Sequence, residues 1–168
     1  MKLRLALAVF LIVVFAPLAG AGSHSESAAR WSGTVSHVTD GDTLWVRPRQ
    51  GGAARKVRLD GIDAPEICQA HGPAARDALA AQVQGQAVTV AASGHDDYGR
   101  TLARLRVRGR DVGGWMVAHG HAWSYRYRRN AGPYARQQRQ AQAAQLGLFV
   151  DPGAQEPRDF RQQHGTCH

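Results

Sequence analysis

The sequence predicts an α+β fold, a small β-barrel carrying helices, with its elements in the order βββαββαα. Two observations point there. Short β-favouring runs bounded by glycine turns recur along the chain, and between and after them lie helical stretches opened by proline or aspartate and closed by glycine. A third observation limits the architecture to one domain. At 168 residues the chain is long enough for one hydrophobic core and too short for two comfortable ones.

Trp31 to His37 reads as the first strand, followed by a turn at Asp40-Gly41. Thr43 to Arg47, with threonine, tryptophan and valine, is the second. A turn at Gln50-Gly51-Gly52 leads to a third strand over Lys56 to Ile62. Gly72-Pro73 then opens a helix, because proline suits a first turn. Ala74 to Gln84 contains no breaker, and Gly85 stops it. Ala87 to Ala91 and Leu102 to Val107 are the fourth and fifth strands, with a polar loop from Ser93 to Arg100 between them. Asp111 is placed to cap a second helix that runs through Ala118 and ends at Gly120. Pro133 starts a third helix reaching about Leu146. Strands this short leave costly open edges in a flat sheet, and closure into a barrel removes them. The folded unit spans residues 31–152, and residues 153–168 read as an irregular tail.

Ahead of this unit, Lys2 and Arg4 precede an apolar run from Leu5 to Phe15, and small residues lead up to Ala21. That is the layout of a secretory signal peptide over residues 1–21, followed by a flexible polar leader over 22–30. The apolar run is shorter than the roughly 20 residues a spanning helix requires, so no stable membrane association is expected after cleavage. The expected destination is the periplasm or the medium. Cleavage removes two of the positive charges behind the net charge of +8 and no negative ones, leaving a basic protein. Such a surface suits a polyanion, whether nucleic acid, acidic polysaccharide or anionic lipid. Both cysteines, Cys68 and Cys167, lie beyond the leader, and an oxidising compartment would join them. A zinc site on Cys68 and His71 would lack two further ligands at suitable spacing.

Three segments concentrate charge beside glycine and proline. They are Asp40-Gly41-Asp42-Thr43, then Arg58-Leu59-Asp60-Gly61-Ile62-Asp63-Ala64-Pro65-Glu66, then Asp96-Asp97-Tyr98-Gly99-Arg100. Taken singly, each is an ordinary turn or strand end. Together they supply carboxylates for a hard cation, two arginines and one glutamate to spare. That is the inventory for cleaving a phosphodiester: positive groups for the charge that builds on phosphorus-bound oxygens, and a carboxylate for the attacking water. An oxygen-rich set without adjacent histidines suits calcium or magnesium better than zinc. Arg58 and Asp63 have opposite parity on a regular strand, so they converge only if Gly61 bends the chain.

In order and spacing these segments resemble the staphylococcal nuclease family over roughly Trp31 to Pro152. The resemblance implies a five-stranded OB-fold barrel with three α-helices. It further implies a calcium-dependent endonuclease acting on DNA and RNA, leaving 3′-phosphate and 5′-hydroxyl ends. Asp42 and Asp63, with the backbone carbonyl of Ala64, match the ligands of a single Ca2+. Glu66 matches the glutamate that orients or activates water, and Arg58 and Arg100 match the two phosphate-gripping arginines. Asp40 and Thr43 fall at positions that shape the calcium loop. Tyr98, Tyr125 and Tyr127 resemble the tyrosines of the nucleotide pocket, where an aromatic face stacks on a base. Arg126, Arg128 and Arg129 extend the positive field beside them. The sequence also departs from the family pattern. The loop from Glu66 to Gly72 is short and contains Cys68, Asp97 stands where a lysine can occur, and Phe149 replaces a usual tryptophan. A monomer is expected. The alternatives are a non-catalytic nucleic-acid-binding OB-fold module, and a basic adhesin for acidic polysaccharide that leaves the three motifs unexplained.

Overall fold

A computed structural model describes residues 29–125 and 130–167. The proposed signal peptide, most of the leader, and Tyr127 with Arg126, Arg128 and Arg129 lie outside the described residues. Among the described residues, no helix is long and apolar enough to cross a membrane.

Strands β1 (Arg30–Val38), β2 (Thr43–Pro48) and β3 (Arg55–Leu59) form an antiparallel meander. A two-residue strand β4 (Ile62–Asp63) follows, then helix α1 (Gly72–Val83). Strands β5 (Ala87–His95) and β6 (Thr101–Val107) pair with each other, and β5 also pairs with β1. The sheet closes because β6 runs parallel to β3, with Arg58 opposite Leu102. The result is the five-stranded barrel that the sequence predicts, with its strands in the order β3-β2-β1-β5-β6. A short β7 (Arg110–Asp111) pairs antiparallel with the end of β6, and β8 (Trp123–Ser124) pairs antiparallel with β4.

Period-two alternation builds the barrel. Val35, Leu44, Val46, Val57, Leu59, Val88, Val90, Ala103 and Leu105 point inward and are buried. Lys56, Arg58, Arg104 and Arg106 alternate with them on the outer face. Leu79 and Val83 of α1, and Met116 and Val117 of α2 (Val112–Ala118), complete the same core. Asp111 caps α2 by accepting a hydrogen bond from the Gly114 N–H at 2.9 Å. Helix α3 (Ala135–Ala143) packs with Trp123, Leu148 and Phe149 in a second, smaller cluster. Phe149 meets the Trp123 ring edge-on at 4.8 Å, so the phenyl ring is a packing element.

Two local expectations change. The strand expected over Lys56 to Ile62 stops at Leu59, where Asp60 and Gly61 turn the chain before β4. The tail expected to be irregular contains helix α4 (Pro157–His164), opened by a buried proline. A disulfide between Cys68 and Cys167 ties this tail to the loop before α1. With its sulfur so engaged, Cys68 is not a zinc ligand.

Candidate active site

The site begins with two tight turns pressed together. In the first, the Asp40 carboxylate accepts the Asp42 N–H at 2.9 Å, an Asx-turn that aims Asp42 inward. Gly41 is required there because a Cβ at that position would lie 2.6 Å from Ala64 Cβ and 2.8 Å from Ala75 Cβ. In the second, Gly61 adopts φ +84°, and this turn reverses the parity that separates Arg58 from Asp63 on a straight strand. Arg58 and Asp63 meet at 2.9 Å.

Arg58 is the hub of the site. Its Nη1 donates to the Ile62 carbonyl at 3.2 Å. Its Nη2 lies 2.9 Å from Asp63 Oδ1 and 3.0 Å from Asp42 Oδ2. Asp42 is otherwise satisfied by the Thr43 hydroxyl at 3.0 Å and the Ala64 N–H at 3.2 Å. Both aspartates are buried. Burial pushes Asp63 above the usual carboxylate range, against the pull of Arg161 and Arg58. Burial and the adjacent Asp42 push Asp40 up to about 7. Asp42 in turn raises Arg58 above its ordinary value, against the cost of burying the guanidinium.

Glu66 is positioned by a compact turn. Its N–H donates to the Gln69 side-chain oxygen at 3.1 Å, and its carbonyl accepts the Gln69 N–H at 2.8 Å. Arg100 is held from the opposite wall. Asp96 Oδ2 accepts from Arg100 Nε at 2.6 Å, and Asp96 Oδ1 accepts the Arg100 and Tyr98 N–H groups at 2.9 and 3.0 Å. Although burial raises the Asp96 carboxyl, these bonds keep it below its usual range.

Asp42, Arg58, Ala64, Glu66, Tyr98 and Arg100 line one cleft of about 480 Å³ on the outer face of the barrel, and Asp63 joins it through Arg58. Tyr98 is 81% exposed, with the Arg100 guanidinium 5.3 Å from its ring centre. Tyr125 is separate. Its N–H donates to the Gly61 carbonyl, but its ring borders a neighbouring depression shared with Asp63 and α4.

Two partners here have no role in the sequence reading. Asp96, the clamp on Arg100, is visible there only as the first letter of the third motif. Arg161 carries no signal, since it lies in the tail far from every motif. From α4 its Nη2 reaches Asp63 Oδ2 at 3.0 Å, while its Nη1 reaches Asp63 Oδ1 at 3.2 Å and Glu66 Oε1 at 2.8 Å.

Donor chemistry decides what cation would fit. Asp42 Oδ2 and Asp63 Oδ1 both lie within 3.0 Å of one nitrogen, so two carboxylates point at a common centre. Among the described residues no three His, Cys, Asp or Glu side chains group as a metal site. Two carboxylates with backbone oxygen and water suit a hard, partly hydrated ion and not zinc.

Residues 56–151, more than half of the chain, match the family described as Staphylococcal nuclease homologue. The chain belongs to that family. The nuclease homologue match runs from β3 through the 3-10 turn at Gly147–Val150, so it covers Arg58, Asp63, Glu66 and Arg100 but not α4. An "Uncharacterized endonuclease" of Haemophilus influenzae is 35% identical over 91% of this chain and 83% of its own length. "Micrococcal nuclease" of Shigella flexneri is 38% identical over 79% of this chain and 82% of its own. "Protein ParB" of Escherichia coli is 37% identical over 96% and 91% respectively.

Proposed function

We propose that this member of the staphylococcal nuclease family is an exported, calcium-dependent endonuclease that hydrolyses DNA and RNA to 3′-phosphate and 5′-hydroxyl ends. One observation carries the proposal: Asp42, Glu66, Arg58 and Arg100 line a single cleft, and the buried Asp63 is bonded to Arg58. Export rests on the basic, apolar, small-residue pattern of residues 1–21.

Asp42, Asp63 and the Ala64 carbonyl would hold Ca2+, which when bound supplies positive charge to a phosphate oxygen. The protein's own groups do the rest. Glu66 accepts a proton from the attacking water as its oxygen bonds to phosphorus. The bond from phosphorus to the 5′-oxygen breaks, and that oxygen takes a proton and leaves as the hydroxyl. Arg58 and Arg100 donate to the phosphate oxygens on which charge accumulates, more strongly in the transition state than in the substrate. Tyr98, exposed beside Arg100, offers a stacking face for a base.

Plasmid DNA and RNA incubated with the protein, with calcium or with a chelator, test the reading when the fragment ends are analysed. Calcium-dependent fragments with 3′-phosphates are expected. Arg58→Ala, Arg100→Ala and Glu66→Ala should each lower turnover by about 10²–10³. Parental rates in all three would refute the site, and binding without cleavage would instead identify a non-catalytic OB-fold module.

A further inference from the structure

Arg161 sits where the proposed chemistry needs open carboxylates. It forks onto both oxygens of Asp63 and bonds one oxygen of Glu66. The tail is held on both sides of this arginine. Downstream, Cys167 is bonded to Cys68, two residues after Glu66. Upstream, the Gln155 carbonyl accepts from Gln69 Nε2 at 2.8 Å, and Gln69 is the same side chain that fixes Glu66. Pro157 is buried at the start of α4. Arg161, Thr166 and Cys167 all line the cleft, so the tail forms part of its wall.

We infer that Arg161 is a further positioning residue of the active site, a built-in counter-ion. It holds Asp63 and Glu66 in the cation-free protein and competes with the divalent cation for them. The inference rests on the cation reading above. A bidentate guanidinium satisfies a carboxylate as fully as any side chain can, so an incoming cation must share or displace it. Placing a divalent ion beside a retained guanidinium adds like-charge repulsion in a partly buried site. The disulfide sets how often Arg161 is in place, because a tethered tail re-engages far more readily than a free one.

The test is calcium titration by calorimetry on the full chain without nucleic acid. If Arg161 occupies the acids nine-tenths of the time or more, Arg161→Ala should tighten calcium binding about tenfold or more. Arg161→Lys, which keeps the charge but loses the fork, should fall between. Arg158→Ala removes a positive charge from an exposed position on the same helix and should change affinity little. Cys68→Ser with Cys167→Ser leaves the charge untouched. It should tighten binding when Arg161 is present and do nothing further when Arg161 is alanine.

Equal shifts from Arg158→Ala and Arg161→Ala would reduce the effect to general charge and overturn the inference. So would an unchanged or weakened affinity in Arg161→Ala, a variant that keeps its disulfide. Calcium bound equally by every variant would overturn only this inference. Calcium bound by none would overturn it together with the cation reading, while plasmid digestion reports separately on nuclease activity.

Discussion

Gly61 shows how much one backbone angle decides. At φ +84° it turns Asp63 toward Arg58, and a Cβ there would also lie 2.6 Å from Pro133 Cγ. Gly61→Ala should therefore cost about 1–3 kcal/mol of stability, read from urea unfolding. Its cleavage rate should fall too, since Arg58 and Asp63 lose their register. Wild-type stability in this variant would mean that the turn tolerates a side chain. His121 makes a second residue-scale prediction. It faces His71, with Nδ1 and Nε2 3.3 Å apart, and stacks on Trp115. Burial, with His71 and His119 alongside, pushes its imidazole down to about 4 from an ordinary 6.5. Below pH 6.5 the unfolded chain takes up a proton that the folded ring refuses. The associated stability is thus complete above about 6.5 and is lost as pH falls toward about 4. His71, also lowered by burial, acts in the same direction. Urea midpoints at about pH 7 and about pH 5 should differ less in His121→Gln than in the parent.

At the scale of elements, the tail and its crosslink stand apart from the barrel. Cys68 and Cys167 are 99 residues apart, yet among the described residues the principal core contains none from the tail. Closing so long a loop limits the unfolded chain, and losing it should cost about 4–5 kcal/mol at most. Cys68→Ser with Cys167→Ser should lower the urea midpoint while leaving the native aromatic circular dichroism of the barrel in place. Loss of that spectrum would show that the barrel depends on the strap. The barrel strands were legible in the sequence because alternation such as Val88-Thr89-Val90 and Ala103-Arg104-Leu105 records burial directly. The acid and arginine set was legible because its members sit in short motifs. Helix α4 was not, since Arg-Asp-Phe-Arg-Gln-Gln-His offers a single apolar residue, Phe160, and only Pro157 marks its start. Arg161's partners lie far upstream, at separations of 95 and 98, and no local pattern encodes a contact of that range.

For the molecule as a whole, charge and closure act together. The parallel pairing of β3 with β6 brings the strand bearing Arg58 beside the strand that follows Arg100. Arg104 and Arg106 continue outward along β6 from that junction, both exposed. Binding of DNA by Glu66→Gln, measured with calcium across a salt series, should therefore weaken with a log–log slope steeper than about −1.8, the value for two phosphate contacts. A slope of about −1.8 or shallower would show that the outer face of β6 takes no part. The strap has a consequence for how the protein is made. Its second cysteine follows every barrel strand in the chain, so a nascent chain completes those strands before the bond can form. Until then the acidic pocket lacks the wall that the tail supplies.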